Sequence, residues 1–333
     1  MNYYYQIEGH LRNNIGDVLQ GMVAKRFLPG NARVADREAL ADLNDKGKLL
    51  LIANGWYMHS FDKFPPPENV SPVYASVHIA NSALLLSTEV RAHFKKHSPI
   101  GCRDKKTLKL FLGWGIPAYY SGCLTTTCVP RTSVIPTTGD VLLVDNVDHP
   151  IPEDVRIKLE RLAGKPLTSI SHNPPDISGT IEEYAQKSEQ HMESLLTKYC
   201  NAELLITTKI HCALPCLGMG VKVLFIHPNP LEERLEPLSQ FIEIISYEDV
   251  KKMDSLEVPV VNQDVLNRRK KFLSDFVSKA IEVGYNPLAK PDSFSYAFIN
   301  LKSRVLAFLF RKGVLFLQMF GIANSKINRV FNN

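Results

Sequence analysis

The sequence predicts an α/β protein built on doubly wound parallel sheets, and three observations carry that prediction. From Val141 onward, short apolar runs alternate with amphipathic stretches, the pattern of successive βα units. The run Val141-Leu142-Leu143-Val144 is apolar throughout, as a strand covered on both faces must be. A second run, Leu204-Leu205-Ile206, stops abruptly in Thr207-Thr208-Lys209-Ile210-His211, and small and apolar residues then continue to Gly218 and Gly220. Open α/β sheets bind ligands beyond the carboxyl ends of their strands, where helix amino termini favour anions. A lysine and a histidine delivered to that edge suggest a site for an anionic small molecule.

A chain of 333 residues, 45% hydrophobic and 22% charged, has the balance of a globular protein with two domains or one large one. Its core needs no disulfide or metal staple. The cysteines (Cys102, Cys123, Cys128, Cys200, Cys212 and Cys216) form no CxxC pair. Cys212 and Cys216 are one helical turn apart but lack a second ligand pair, so reduced thiols and no metal are expected. Residues 1–6 lack the basic start and apolar run of a leader, which favours a cytoplasmic body. The net charge is +5, yet Lys302, Arg304, Arg311, Lys312, Lys326 and Arg329 all follow the last acidic residue, Asp292. Removing those six from +5 leaves −1 for everything before them. A neutral body with a basic end argues for a local basic patch and against a broad nucleic-acid surface.

Taken in order, residues 13–17 read as a turn entering a helix over 17–27, which Pro29-Gly30-Asn31 stops. Residues 48–53 read as a buried strand broken by Asn54-Gly55, and 73–79 as another. A helix over 88–96, a strand and turn over 100–104, a helix over 105–113 and a strand over 116–120 follow. Gly139-Asp140 marks a break, so an amino-terminal α/β domain is expected over 1–135 and a second over 136–290. Within the second lie a helix over 152–163, a strand over 167–171 ending in His172, and a helix over 180–200. Thr180-Ile181-Glu182-Glu183 opens that helix as a capping box. Strands are expected over 204–207, 221–226 and 242–246, and an amphipathic helix over 262–283.

Several residues qualify for chemistry. Lys209 suits anion binding, and His211 suits an acid, a base or a phosphate ligand, against a surface lysine and a packed histidine. Arg103, after Gly101 at a strand end, suits fork recognition of carboxylate or phosphate, while Asp104 reads equally as a helix cap. Asn14, Gly16 and Asp17 open a helix, and Gly16 permits close backbone approach there. This is no P-loop, because no Gly-Lys-Ser/Thr follows. Ser121 and Thr125 belong to a hydroxyl-rich segment that reads as a cleft lining or as a plain loop. Cys123 within it has no histidine nearby in sequence to activate it. His172 ends a further strand of the second domain and points to the same cleft. Trp56 reads as a sugar-stacking aromatic or a core anchor.

The tail over 305–322 is apolar but interrupted by Arg311-Lys312, short of the ~20 residues a membrane span requires. It reads as an interfacial helix on anionic lipid, or as a helix packed on the body or another subunit.

Together, Asn14-Ile15-Gly16-Asp17-Val18-Leu19-Gln20, Ile100-Gly101-Cys102-Arg103-Asp104 with Thr107, and Thr208-Lys209-Ile210-His211 resemble the polysaccharide pyruvyl transferase family. Ser121-Gly122-Cys123-Leu124-Thr125 also resembles a segment of bacterial members, and the likeness runs over about 14–228. That resemblance implies two Rossmann-like domains in a GT-B-like arrangement, with the site between them and a helical tail at 291–333. It implies transfer of pyruvate from phosphoenolpyruvate, as co-substrate, onto a sugar of a polysaccharide or lipid-linked oligosaccharide as a cyclic ketal. No metal or organic cofactor is required. Arg103 and Lys209 would clamp the donor, and His211 would be the acid or phosphate ligand. Asp17 would contact acceptor hydroxyls or act as base, with Asn14, Gly16, Ser121, Thr125 and His172 binding substrate. The family usually has arginine where Lys209 stands, which keeps the charge and loses the fork. The implied setting is envelope polysaccharide synthesis, in the cytoplasm or at the inner membrane face. Two rivals share the architecture: a nucleotide-sugar glycosyltransferase of GT-B type, and a non-catalytic scaffold of a polysaccharide assembly. If the tail is a lipid anchor, deleting 301–333 releases the protein from anionic vesicles in a flotation assay and spares activity on a soluble acceptor. Unchanged vesicle binding contradicts that reading.

Overall fold

Two sheets, each parallel throughout, organise the computed structural model, which describes residues 1–9, 14–60, 62–129, 138–145, 150–174 and 178–289. The contacts divide the chain into two units that are discontinuous in sequence. The first takes described parts of 1–10, 24–122 and the segment from Asp275; the second takes those of 11–23 and 123–274. The tail over 291–333 lies outside the described residues.

In the first unit the strands are β1 (Asn2–Ile7), β2 (Arg33–Asp36), β3 (Leu49–Tyr57), β4 (Val70–Ile79), β5 (Ile100–Cys102) and β6 (Ala118–Tyr120), in the order β2-β1-β3-β4-β5-β6. Leu49, Leu50, Leu51 and Ile52 are all fully buried, as the two-faced burial of a parallel strand requires. The expected break at Asn54-Gly55 is instead a bulge. Ala53 pairs with Tyr74 and Gly55 with Val77, and β3 runs on to Tyr57. Gly55 (φ 97°) and Ser76 (φ 65°) absorb the extra residue, and the Ser76 amide donates to the Ser121 hydroxyl at 3.1 Å. β1 lies beyond the expected elements, because its Tyr3-Tyr4-Tyr5 run reads as polar and aromatic while Tyr4 and Tyr5 are buried.

Helix α1 (Ile15–Lys25) begins in the second unit and ends in the first, which resumes at Ala24. Helices α2 (Thr88–Lys96) and α3 (Lys105–Gly113) are capped by the side chains of Ser87 and Asp104.

The second unit holds β7 (Val141–Val144), α4 (Glu153–Ala163), β8 (Leu167–Ser169), α5 (Ile181–Asn201), β9 (Leu204–Thr207), α6 (Ile210–Met219), β10 (Val223–His227), α7 (Glu236–Ser239), β11 (Ile245–Ser246), α8 (Tyr247–Lys252) and α9 (Gln263–Val283), the last passing into the first unit after Ser274. Thr180 and Glu183 form the expected capping box on α5. The strand order β11-β10-β9-β7-β8 reverses direction at β7, the switch point of a doubly wound sheet.

Helix α6 packs on the 3₁₀ turn Leu124–Thr127, and Gly218 makes the approach possible. A Cβ there would overlap the Thr126 carbonyl oxygen. Gly218→Ala is therefore expected to cost about 1–3 kcal/mol by overpacking, read as a lower urea midpoint with an unchanged slope. An unchanged midpoint contradicts the packing account.

Candidate active site

The carboxyl ends of β7, β8 and β9 meet at the switch point and hold the polar residues of the second unit. Thr207 donates to the Val144 carbonyl at 2.7 Å and accepts the Lys209 amide at 3.0 Å. Thr208 donates to Asp145 at 3.1 Å. These bonds turn the chain sharply from β9 into α6, with Lys209 at the N-cap. A lysine has no acceptor with which to cap first-turn amides, so the positive end of the helix dipole keeps its field.

A second helix begins at the same place. Asn14 caps α1 by accepting the Gly16 amide at 3.0 Å. Gly16 is buried, and a Cβ on it would lie 2.8 Å from His211 Cβ and 3.1 Å from His211 Nδ1. The first turns of α1 and α6 thus touch, each contributing the positive end of its dipole. Only glycine at residue 16 allows His211 its place. Asp17, in the same turn, accepts from Asn14 Nδ2 at 3.2 Å and Gln20 Nε2 at 2.8 Å.

His172 follows β8 and is almost fully buried, 2% exposed, and among the described residues neither ring nitrogen has a hydrogen-bond partner. Burial, then the charges of Lys209, His211 and His191, push it from the ordinary 6.5 down to about 3. Two unspent ring nitrogens thus lie buried beside a cation and a second imidazole. His191, on α5, was not anticipated; nothing in a helical repeat separates it from any other partly buried histidine.

The structure thus brings Asn14, Gly16, Asp17, His172, Lys209 and His211 into the second unit, and Gly16, His172, Lys209 and His211 into one neighbourhood. Thr125 is also in that unit, but its hydroxyl is buried against Cys123 Sγ at 3.0 Å. Arg103 and Ser121 belong to the first unit, at the carboxyl edge of β5 and β6. Arg103 is buried, and its amide donates to the Val77 carbonyl at 2.8 Å. The Ser121 hydroxyl serves the backbone, reaching the Cys102 carbonyl at 3.0 Å. Among the described residues, no three His, Cys, Asp or Glu side chains are grouped as a metal site needs.

Touching helix amino termini, a cation and two imidazoles thus stand at the switch point of an α/β sheet. The family model for polysaccharide pyruvyl transferase matches residues 14–230, and the chain belongs to that family. Among solved structures, a CDPG-soaked variant of the wall teichoic acid polymerase TagF has 9% identity and a TM-score of 0.33, over 93% of this chain and 88% of that one. A second histidine variant of TagF has 8% identity and the same TM-score of 0.33, over 94% and 89%. No curated protein matches the chain.

The His172 shift has a consequence for stability. The native ring stays neutral while the unfolded one takes a proton below about pH 6.5. Its contribution is complete above that value and is lost as pH falls toward 3. In urea titrations between pH 4 and 7, His172→Leu is expected to flatten the dependence by up to about one proton, roughly 1.4 kcal/mol per pH unit. Parallel curves for the two proteins contradict a buried neutral imidazole.

Proposed function

We propose that this protein transfers pyruvate from phosphoenolpyruvate to a sugar of a polysaccharide or lipid-linked oligosaccharide, closing a cyclic ketal. The observation that carries the reading is the contact of Gly16 with His211, which sets two helix amino termini beside Lys209. Phosphoenolpyruvate presents a phosphate and a carboxylate on three carbons, and helix termini with a lysine suit such a polyanion. His172, held neutral by burial, offers hydrogen bonds without charge. In the first unit Arg103 is the candidate cation for a substrate anion.

The chemistry asks for a proton on the methylene carbon, which makes C2 electrophilic. A first sugar hydroxyl adds there, phosphate departs, and a second hydroxyl closes the ring. His211 is assigned as the acid or as the ligand that steadies the leaving phosphate; either role is worth about 10²–10⁴-fold. Asp17 is assigned to acceptor hydroxyls. The acceptor's lipid carrier would explain a basic apolar tail.

Phosphate release from phosphoenolpyruvate in the presence of glycan acceptors tests the proposal. His211→Ala is expected to lower turnover at least about 100-fold with an unchanged melting temperature. Phosphoenolpyruvate should raise the melting temperature of the wild type, and uridine or guanosine diphosphate sugars should not. Near-normal turnover in the variant, or a shift with nucleotide sugars alone, overturns it.

A further inference from the structure

The first unit carries a groove that the reading above does not use. It has a volume of about 360 Å³ and lies between α2 and the loop that leads into β4. That volume falls within the range of small-molecule pockets, about 300–1,000 Å³. Pro65, Pro66 and Pro67 form one wall, and Ala92 of α2 belongs to the other. Proline rings fix φ, so the first wall is rigid before any ligand arrives. The prolines end just before Val70 opens β4, and Lys96 ends α2 just before Ile100 opens β5. The groove therefore lies toward the amino ends of these parallel strands, whereas Arg103 follows the carboxyl end of β5.

His93 of α2 lines the groove and is held from behind. Its Nε2 meets the Tyr74 hydroxyl at 2.7 Å, and its ring packs edge-on against Phe64, with 5.4 Å between centres. Tyr74 is fully buried, and burial, then the charge of Tyr57, raises it well above its ordinary 10. The phenol keeps its proton, and among the described residues His93 is its one acceptor. Leaving that proton unspent in the interior would be costly, so the hydroxyl donates to Nε2. The hydrogen of the imidazole then sits on Nδ1. Burial, then the charges of His97 and Lys96, push His93 down to about 3, so the ring is neutral at pH 7. Its Nδ1 has no partner among the described residues and, unlike the nitrogens of His172, is not sealed from solvent.

Glu89, exposed in the first turn of α2, adds a carboxylate that makes no hydrogen bond or ion pair with a described residue. Lys96 and Glu68, also on the groove, pair with each other. An ammonium has three protons and a carboxylate several lone pairs, so this pair has hydrogen bonds to spare. Two carboxylates (−2), one ammonium (+1) and a neutral imidazole give the groove a charge of −1, which repels phosphoenolpyruvate and similar anions. Donors and acceptors side by side above apolar walls suit a sugar. Its hydroxyls both give and take hydrogen bonds, and its C–H faces can lie on proline and alanine carbons.

We propose that this groove binds a neutral glycan and is a holding site for the polymer whose sugar is modified. The inference rests on the pyruvyl-transfer reading for the role of that polymer, and on the groove alone for its binding. Glu89 accepts from a pair of adjacent hydroxyls, His93 donates from Nδ1 to a sugar oxygen, and Lys96 donates to another. A chain held at one of its sugars keeps its other sugars at a raised local concentration, so the gain falls on long acceptors and not on single sugars.

The test uses the full chain, isotope-labelled for NMR. Linear oligosaccharides of glucose, galactose and mannose are the probes, with phenethylamine as a cationic control. The backbone amide signals of Ala92, His93 and Lys96 are expected to shift and saturate with at least one oligosaccharide. Glu89→Ala and Lys96→Ala, both surface changes, are each expected to weaken that binding at least about fivefold at an unchanged melting temperature. In phosphate release, Glu89→Ala is expected to raise KM for the same oligosaccharide at least about fivefold, and to leave kcat and KM for the methyl glycoside within about twofold. No saturable shift with any oligosaccharide, binding that both variants leave unchanged, or a shift with phenethylamine alone overturns the proposal. An unchanged KM for the oligosaccharide in Glu89→Ala overturns the holding role. Wild-type protein that binds the oligosaccharide but releases no phosphate refutes pyruvyl transfer and leaves the sugar groove standing.

Discussion

Everything proposed for the second unit depends on one close contact, the first turn of α1 against the first turn of α6. Gly16 leaves no room for a Cβ beneath His211. Two helix dipoles therefore end at one point, with an asparagine capping α1, a lysine at the cap of α6, and the Asp17 carboxylate in the first turn of α1. Like partial charges brought together repel, and an anion between them relieves that repulsion. The cost of holding the termini together is met by burial of α6, whose residues from Cys212 to Met219 are all buried.

The sheets supply the rigidity. In the second unit, β7, β8 and β9 are adjacent, so Asp145, His172 and Lys209 leave one sheet edge in parallel. Threonine hydroxyls fasten the β9–α6 turn to β7 through bonds of 2.7 and 3.1 Å. In the first unit the bulge between β3 and β4 redirects the chain just before Trp56 and His78, and Ser121 braces it from β6. Both sheets place their chemistry at carboxyl ends, where loops and helix starts are free to vary without disturbing the core.

Much of this was readable in the sequence where local rules govern. The apolar runs of β7 and β9, the capping box of α5 and the helix α2 follow from burial and capping alone. So does the arrival of Lys209 and His211 at a helix start. Other features are set by contacts distant in sequence. β1 escaped because its tyrosines are read as polar until a neighbouring strand covers them. The bulge at Gly55 reads as a strand end, because a glycine gives the same signal for both. Gly16 and His211 are far apart in the chain, and no periodicity announces their meeting. The bond from Tyr74 to His93 is equally hidden, since a tyrosine within an apolar strand has the pattern of a core residue. The hydroxyls of Ser121 and Thr125 suggested a cleft lining, and the fold spends them on the backbone and on Cys123.

Calorimetric titration of phosphoenolpyruvate into the wild type and into Gly16→Ala tests the central claim most directly. A methyl group at residue 16 must displace His211 without altering any charge. One donor molecule is expected to bind the wild type, and the variant is expected to lose at least about tenfold in affinity, a difference of roughly 1.4 kcal/mol. Equal affinities in the two proteins, or no binding to either, would contradict a donor site built on the meeting of the two helices.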